Sequence, residues 1–120
     1  MIENESQEMY LETILKLQLE NGGVRSIDVA ESLGYSKPSV SRAVGLMKKD
    51  EFIVVHSDGI IELTEKGRQK AENVFSRHNS LTEAFVKMGL DRQQAEENAC
   101  RVEHVISEEA FETIKKYFSV

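Results

Sequence analysis

The sequence predicts a mainly α fold in which three helices and a β-hairpin precede three further helices. Three observations carry this. Apolar residues recur at three- and four-residue steps through most of the chain. Good capping residues stand where those runs begin, and glycines stand where they end. The one break in the rhythm is a pair of short β-rich runs around Asp58-Gly59. The 120 residues, 40% hydrophobic, suit one domain or two very small ones.

Gln7 to Asn21 reads as a helix, with Tyr10, Ile14 and Leu17 joined by Leu11 and Leu15, and Gly22-Gly23 ends it. Ser26 is a good N-cap for a short helix through Leu33, whose apolar members are Ile27, Val29, Ala30 and Leu33. Gly34 closes that helix as a left-handed C′ residue. Ser36 caps the next, with Pro38 in its first turn, where a missing N–H costs nothing. Its inward stripe is Val40, Val44 and Met47, with Ala43 and Leu46 beside it.

Phe52 to Val55 and Ile60 to Leu63 are the β-rich runs, and Asp-Gly between such runs is the strongest short hairpin signal. Thr64 caps a long helix through Met88, broken only at Gly67, with Ala71, Val74, Phe75, Leu81, Phe85 and Met88 as its buried stripe. Gly89 stops it. Asp91, followed three residues later by Gln94, opens a helix to about Val105. Ser107, with Glu108 and Glu109 in the first turn, opens the last helix. Its stripe is Ala110, Phe111, Ile114, Tyr117 and Phe118, and Lys115 and Lys116 suit its C-terminal dipole. The expected domains are 1–70 and 71–120.

Composition excludes several classes. A single cysteine rules out an internal disulfide and a disulfide-built secreted fold. No apolar run approaches the roughly 18 residues of a spanning helix. The start, Met1-Ile2-Glu3-Asn4-Glu5, is acidic, unlike a secretory or transit peptide. The expectation is a cytoplasmic protein with no membrane partner. The formal charge is −6, but it is unevenly spread. Residues 1–63 hold 11 acids against 6 bases, yet Ser36 to Lys49 contains Lys37, Arg42, Lys48 and Lys49 and no acid. DNA affinity depends on the phosphates a local face neutralises, so this basic island outweighs the net charge.

Three helices followed by a β-hairpin make a winged helix–turn–helix, whose second paired helix enters the major groove by its N-terminal residues. That end carries Ser36, Lys37, Pro38, Ser39, Ser41 and Arg42. With Ser26 and Lys48 these are the candidate contacts to double-stranded DNA, hydroxyls for bases or phosphates and cations for phosphate or guanine. Winged helices also serve as protein-docking modules, and the hairpin tip, His56, Ser57 and Asp58, offers no Lys or Arg. His56 reads as a structural or surface residue.

In the second half, Cys100, Glu103 and His104 stand at i, i+3 and i+4, within roughly 100° of one helix face. Thiolate, carboxylate and imidazole together make a metal half-site of mixed softness. A buried cysteine beside a surface Glu and His satisfies the same pattern. His78 occupies the apolar stripe of its helix, three residues from Phe75 and from Leu81. Such a lone His is more often a hydrogen-bonded core residue than a ligand, but the second cluster makes it a candidate. Met9 and Glu12 share a face of the first helix at i, i+3, where methionine is usually core and glutamate solvated.

These residues resemble the metal-dependent repressors typified by the diphtheria toxin repressor, with iron-responsive and manganese-responsive branches. The match runs nearly end to end. It covers Glu8-Met9-Tyr10-Leu11-Glu12-Thr13-Ile14, Ala30-Glu31-Ser32-Leu33, Pro38-Ser39-Val40-Ser41, Leu63-Thr64-Glu65-Lys66-Gly67 and Arg77-His78. Its most specific stretch is Ala99-Cys100-Arg101-Val102-Glu103-His104-Val105-Ile106-Ser107. The resemblance implies a primary metal site on Met9, Cys100, Glu103 and His104, with His78 at a neighbouring site. Glu12 matches a first-helix glutamate that binds metal in the manganese branch.

That branch usually has aspartate at the Met9 place and glutamate at the Cys100 place. Methionine and cysteine resemble the iron branch, whose softer ligands favour Fe²⁺ over Mn²⁺. The iron branch commonly adds an SH3-like domain, which is not reached before Val120, so the resemblance is to a short form. The family's glutamate four residues after the histidine is replaced by Thr82, with Glu83 one step off, and Glu96 could substitute as an ancillary ligand.

The function so implied is a metal-responsive DNA-binding repressor of metal-ion homeostasis, not an enzyme. Fe²⁺ ranks ahead of Mn²⁺ as co-repressor, with Co²⁺, Ni²⁺ or Zn²⁺ as laboratory substitutes. The apolar stripes of the last three helices imply a homodimer, which would read a near-palindromic operator. The rivals are a winged-helix regulator that does not respond to metal and a non-DNA scaffold. An enzyme ranks last, for want of an acid/base pair, a glycine-rich phosphate loop or a nucleophile–base spacing.

Overall fold

The computed structural model describes the backbone of residues 2–120 and the side chains from residue 7 onward. Its elements are α1 (Ile2–Asn21), α2 (Ser26–Leu33), α3 (Lys37–Lys49), β1 (Ile53–Val55), β2 (Ile61–Leu63), α4 (Glu65–Lys87), α5 (Arg92–Val102) and α6 (Glu108–Phe118). The chain divides into two compact units, one ending at Glu72 and one running from Asn73 to Val120.

In the first unit α1 packs on α2, α3 and β2, and α3 also meets β1. Leu11, Ile14, Val24, Val29, Val40, Met47, Ile53 and Ile61 are sealed from solvent at the centre. The strands pair antiparallel, Ile53 with Leu63 and Val55 with Ile61, and Val24 bridges Ile61 from the other side. Ser36 caps α3, its hydroxyl accepting from the Ser39 amide at 3.3 Å, and Gly34 ends α2 at φ 69° as its place predicts.

Four expectations need correction here. α1 begins at Ile2, five residues earlier than Gln7. Ser26 is the first residue of α2 and not its cap. Arg25 holds the cap position, and the Asp28 carboxylate accepts its N–H at 2.8 Å. Ile27, named among the apolar members of α2, and Leu46, expected beside the inward stripe of α3, are 42% and 55% exposed. Gly67 does not break α4. The helix runs through it because a Cβ there would stand 2.0 Å from the Phe52 carbonyl oxygen, so only glycine permits that approach. Thr64 anchors the same corner, donating to Glu51 O at 2.7 Å and accepting from the Gly67 amide at 3.1 Å.

In the second unit Leu81, Ala99 and Phe111 form the core, with Phe85, Val102, Ile106 and Ile114 packed against it. Asp91 and Ser107 cap α5 and α6, accepting from the amides of Gln94 and Ala110. α5 stops at Val102, short of Val105, where the Val105 amide closes a tighter i→i−3 turn onto the Val102 carbonyl. Met88 is 56% exposed, against the expectation that it lines the buried stripe of α4, and on the α6 stripe Ala110 is exposed and Tyr117 81% exposed.

Candidate metal centre and nucleic-acid face

The i, i+4 step from Val74 turns His78 inward on α4, leaving its side chain 16% exposed. Glu103 caps α5 at its C-terminal end. Its backbone still donates to Ala99 O at 2.9 Å, so the helix holds its direction, and its side chain is fully buried. The two meet: His78 Nδ1 lies 2.7 Å from Glu103 Oε2. On the other carboxylate oxygen, His104 Nε2 lies 3.2 Å from Glu103 Oε1, with the imidazole almost buried.

Two neighbours brace the cluster. Arg77 Nη1 donates to the Glu103 carbonyl at 2.7 Å, and Thr82 Oγ1 donates to the His78 carbonyl at 2.8 Å. A carboxylate removed from water is costly unless its oxygens are matched. Here Oε2 is hydrogen-bonded with His78, and Oε1 stands 3.2 Å from His104 Nε2. One anionic oxygen donor between two imidazoles is also a donor set that fits a divalent first-row metal ion. Thr82, at the place of the family's glutamate, turns back onto its own helix, and Glu83 pairs with Arg92 at 3.1 Å on the surface.

The structure thus gathers His78, Glu103 and His104. Cys100 and Glu96 sit at exposed positions of α5. On α1, Glu12 is buried, and half-buried Met9 accepts a hydrogen bond at its sulfur from Tyr35 Oη at 3.3 Å. Sequence reasoning missed Tyr35, which lies in a turn with no periodicity to mark it. It missed the bracing role of Arg77, which was matched only as a neighbour of His78. Burial raises the Tyr10 phenol above its ordinary pKa, Tyr35 adds to the effect and Arg42 opposes it.

On the candidate DNA face, Ser26, Ser36, Lys37, Pro38, Ser41, Arg42 and Lys48 are exposed, and Ser39 is partly so. Ser26, Ile27, Lys37, Val40 and Ser41 line a cleft of about 360 Å³ between α2 and α3. Arg25 Nε reaches the wing turn, donating to Asp58 O at 3.3 Å, and His56 pairs with Glu62 at 2.6 Å on the exposed side of the hairpin.

Comparison with known proteins agrees with both halves. Residues 4–60 match the model described as the iron dependent repressor N-terminal DNA binding domain. Residues 64–119 match the iron dependent repressor metal binding and dimerisation domain. The chain belongs to the iron-dependent repressor family. This is a family of repressors, not of enzymes.

The chain is 38% identical over 107 residues to the diphtheria toxin repressor of Corynebacterium diphtheriae, covering 88% of this chain and 47% of that one. It is 39% identical over 106 residues to the iron-dependent repressor IdeR of Mycobacterium tuberculosis, covering 88% and 46%. The crystal structure of T. acidophilum IdeR superposes with a TM-score of 0.79 at 26% identity, over 94% of this chain and 54% of that one. The chain therefore spans about half the length of the relatives it matches. Among the described residues of this family member, no helix is long and apolar enough to cross a membrane.

Proposed function

We propose that this chain is a metal-responsive, DNA-binding transcriptional repressor of metal-ion homeostasis, acting in the cytoplasm as a homodimer. One observation carries the reading. The fully buried Glu103 carboxylate is faced by His78 and His104 within the half of the chain that matches a metal-binding and dimerisation domain. Met9, Glu12 and Cys100 are the further ligands in this reading, with Glu96 ancillary. The thioether and thiolate favour Fe²⁺ over Mn²⁺.

A bound ion would supply fixed positive charge among these donors. The chain's own residues do the rest. The imidazoles and the thiol give up protons to ligate, so metal affinity falls with pH. Exposed Met88, Leu90, Val105 and Tyr117 supply apolar surface that a second copy can cover. Two copies of α3, about 34 Å apart, would read a near-palindromic operator through Ser36 to Arg42.

The test is selection of duplexes from a random pool by reduced, anaerobic protein with Fe²⁺, with Mn²⁺ and with chelator. The reading predicts a near-palindrome enriched with metal and not with chelator, and more strongly with Fe²⁺. Equal enrichment in chelator would replace it with a winged-helix regulator that does not respond to metal. A Co²⁺ titration tests Cys100 separately: the thiolate-to-cobalt charge-transfer band should be lost in Cys100→Ser.

A further inference from the structure

We propose that Tyr35 is a positioning residue that couples Met9 to the recognition helix, an inference that rests on the reading of Met9 as a metal ligand. Tyr35 stands between the left-handed Gly34 that ends α2 and the Ser36 that caps α3. Its backbone is tied down, with its amide donating to Ala30 O at 3.1 Å beside the Gly34 amide at 2.9 Å. Its ring is aimed by an edge-on contact with the buried Tyr10, centroids 5.9 Å apart at 69°. From that fixed position the hydroxyl donates to Met9 Sδ at 3.3 Å.

Methionine is otherwise the least fixed of ligands, with three rotatable bonds and a soft, adaptable sulfur. A thioether has two lone pairs. The Tyr35 hydroxyl takes one and leaves the other for a soft cation. A sulfur held by both ties α1 to the residue immediately before the α3 cap. Anything that fixes the Met9 sulfur then fixes the turn that aims Ser36, Lys37 and Ser39. By linkage, DNA that fixes α3 must tighten metal binding by the same factor.

The test compares the parent, Tyr35→Phe, Met9→Leu and the double variant on a duplex selected by the parent in Co²⁺. DNA affinity is measured in chelator and in saturating Co²⁺, and Co²⁺ affinity with and without the duplex. Phenylalanine keeps the ring contact with Tyr10 and removes only the hydroxyl. The expected result is a fall of about threefold in the Co²⁺ stimulation of DNA binding, the size of one weak net hydrogen bond, with affinity in chelator unchanged. The DNA stimulation of Co²⁺ binding should fall by the same factor, and Tyr35→Phe should add nothing in the Met9→Leu background.

Three results would overturn the proposal. One is stimulation equal to the parent's. Another is equal losses in chelator and Co²⁺, which mark a plain DNA contact or a structural role. The third is an undiminished Tyr35→Phe effect without Met9. A parent that shows no Co²⁺ stimulation would overturn the functional reading itself, and this inference with it.

Discussion

The first unit seals eight large apolar side chains, from Leu11 to Ile61, almost completely, whereas the second seals Val74 and Leu81 to that degree, centres its core on Leu81, Ala99 and Phe111, and sets the Glu103 carboxylate between two imidazoles. The second unit is also the smaller, Asn73 to Val120, and leaves Val105 at 64% and Tyr117 at 81% exposure. A unit this small buries a modest share of its surface and is correspondingly marginal, so a metal or a second copy commonly supports it. The contrast teaches a division of labour. We expect the first unit to hold by its own packing and the second to gain stability from a bound metal or a second copy.

The largest expected effect falls on the second unit. Glu103→Gln keeps the shape between the two imidazoles and removes the anion, so Co²⁺ affinity should fall by more than about 100-fold, judged against the 10–100-fold typical of outer-sphere partners. Calorimetric titration checks it. The mirror experiment strikes the first unit. Gly67→Ala drives a Cβ into the Phe52 carbonyl and should cost about 1–3 kcal/mol in chemical denaturation, with Co²⁺ affinity unmoved. A change in metal affinity there would dissolve the contrast between the units.

Smaller effects sharpen it. Tyr117→Lys places a charge on the most exposed aromatic of the second unit and should weaken self-association about tenfold in sedimentation equilibrium. Arg42→Ala should lower DNA affinity and reduce the slope of log affinity against log salt by about one, leaving metal binding intact. Lowering the pH from 8 to 6 should weaken Co²⁺ binding, because protons compete with the ion for the imidazole nitrogens and the thiolate. DNA binding by the first unit alone would then show no matching fall.

Much of this was legible in the sequence, where punctuation and period agreed. Ser36, Gly34, Asp91 and Ser107 marked helix ends because each meets a local hydrogen-bonding or backbone need that only a few residue types satisfy. His78, Glu103 and His104 were legible as chemistry from residue type and spacing. Their meeting on one carboxylate was not, because α4 and α5 are brought together by packing that no single-helix period encodes. Gly67 was misread because a glycine required for a close approach looks the same in sequence as a glycine that breaks a helix. Met88 was misread because an apolar stripe does not say whether the chain itself or a second copy covers it.

The most direct test of the central claim is to titrate Fe²⁺ anaerobically into reduced apo-protein with a labelled selected duplex, following anisotropy for the parent and for Glu103→Gln together. Parent affinity should rise at least about fivefold, the lower end of ordinary coupling, while the variant stays flat. Equal rises in both, or no rise in the parent, would contradict it.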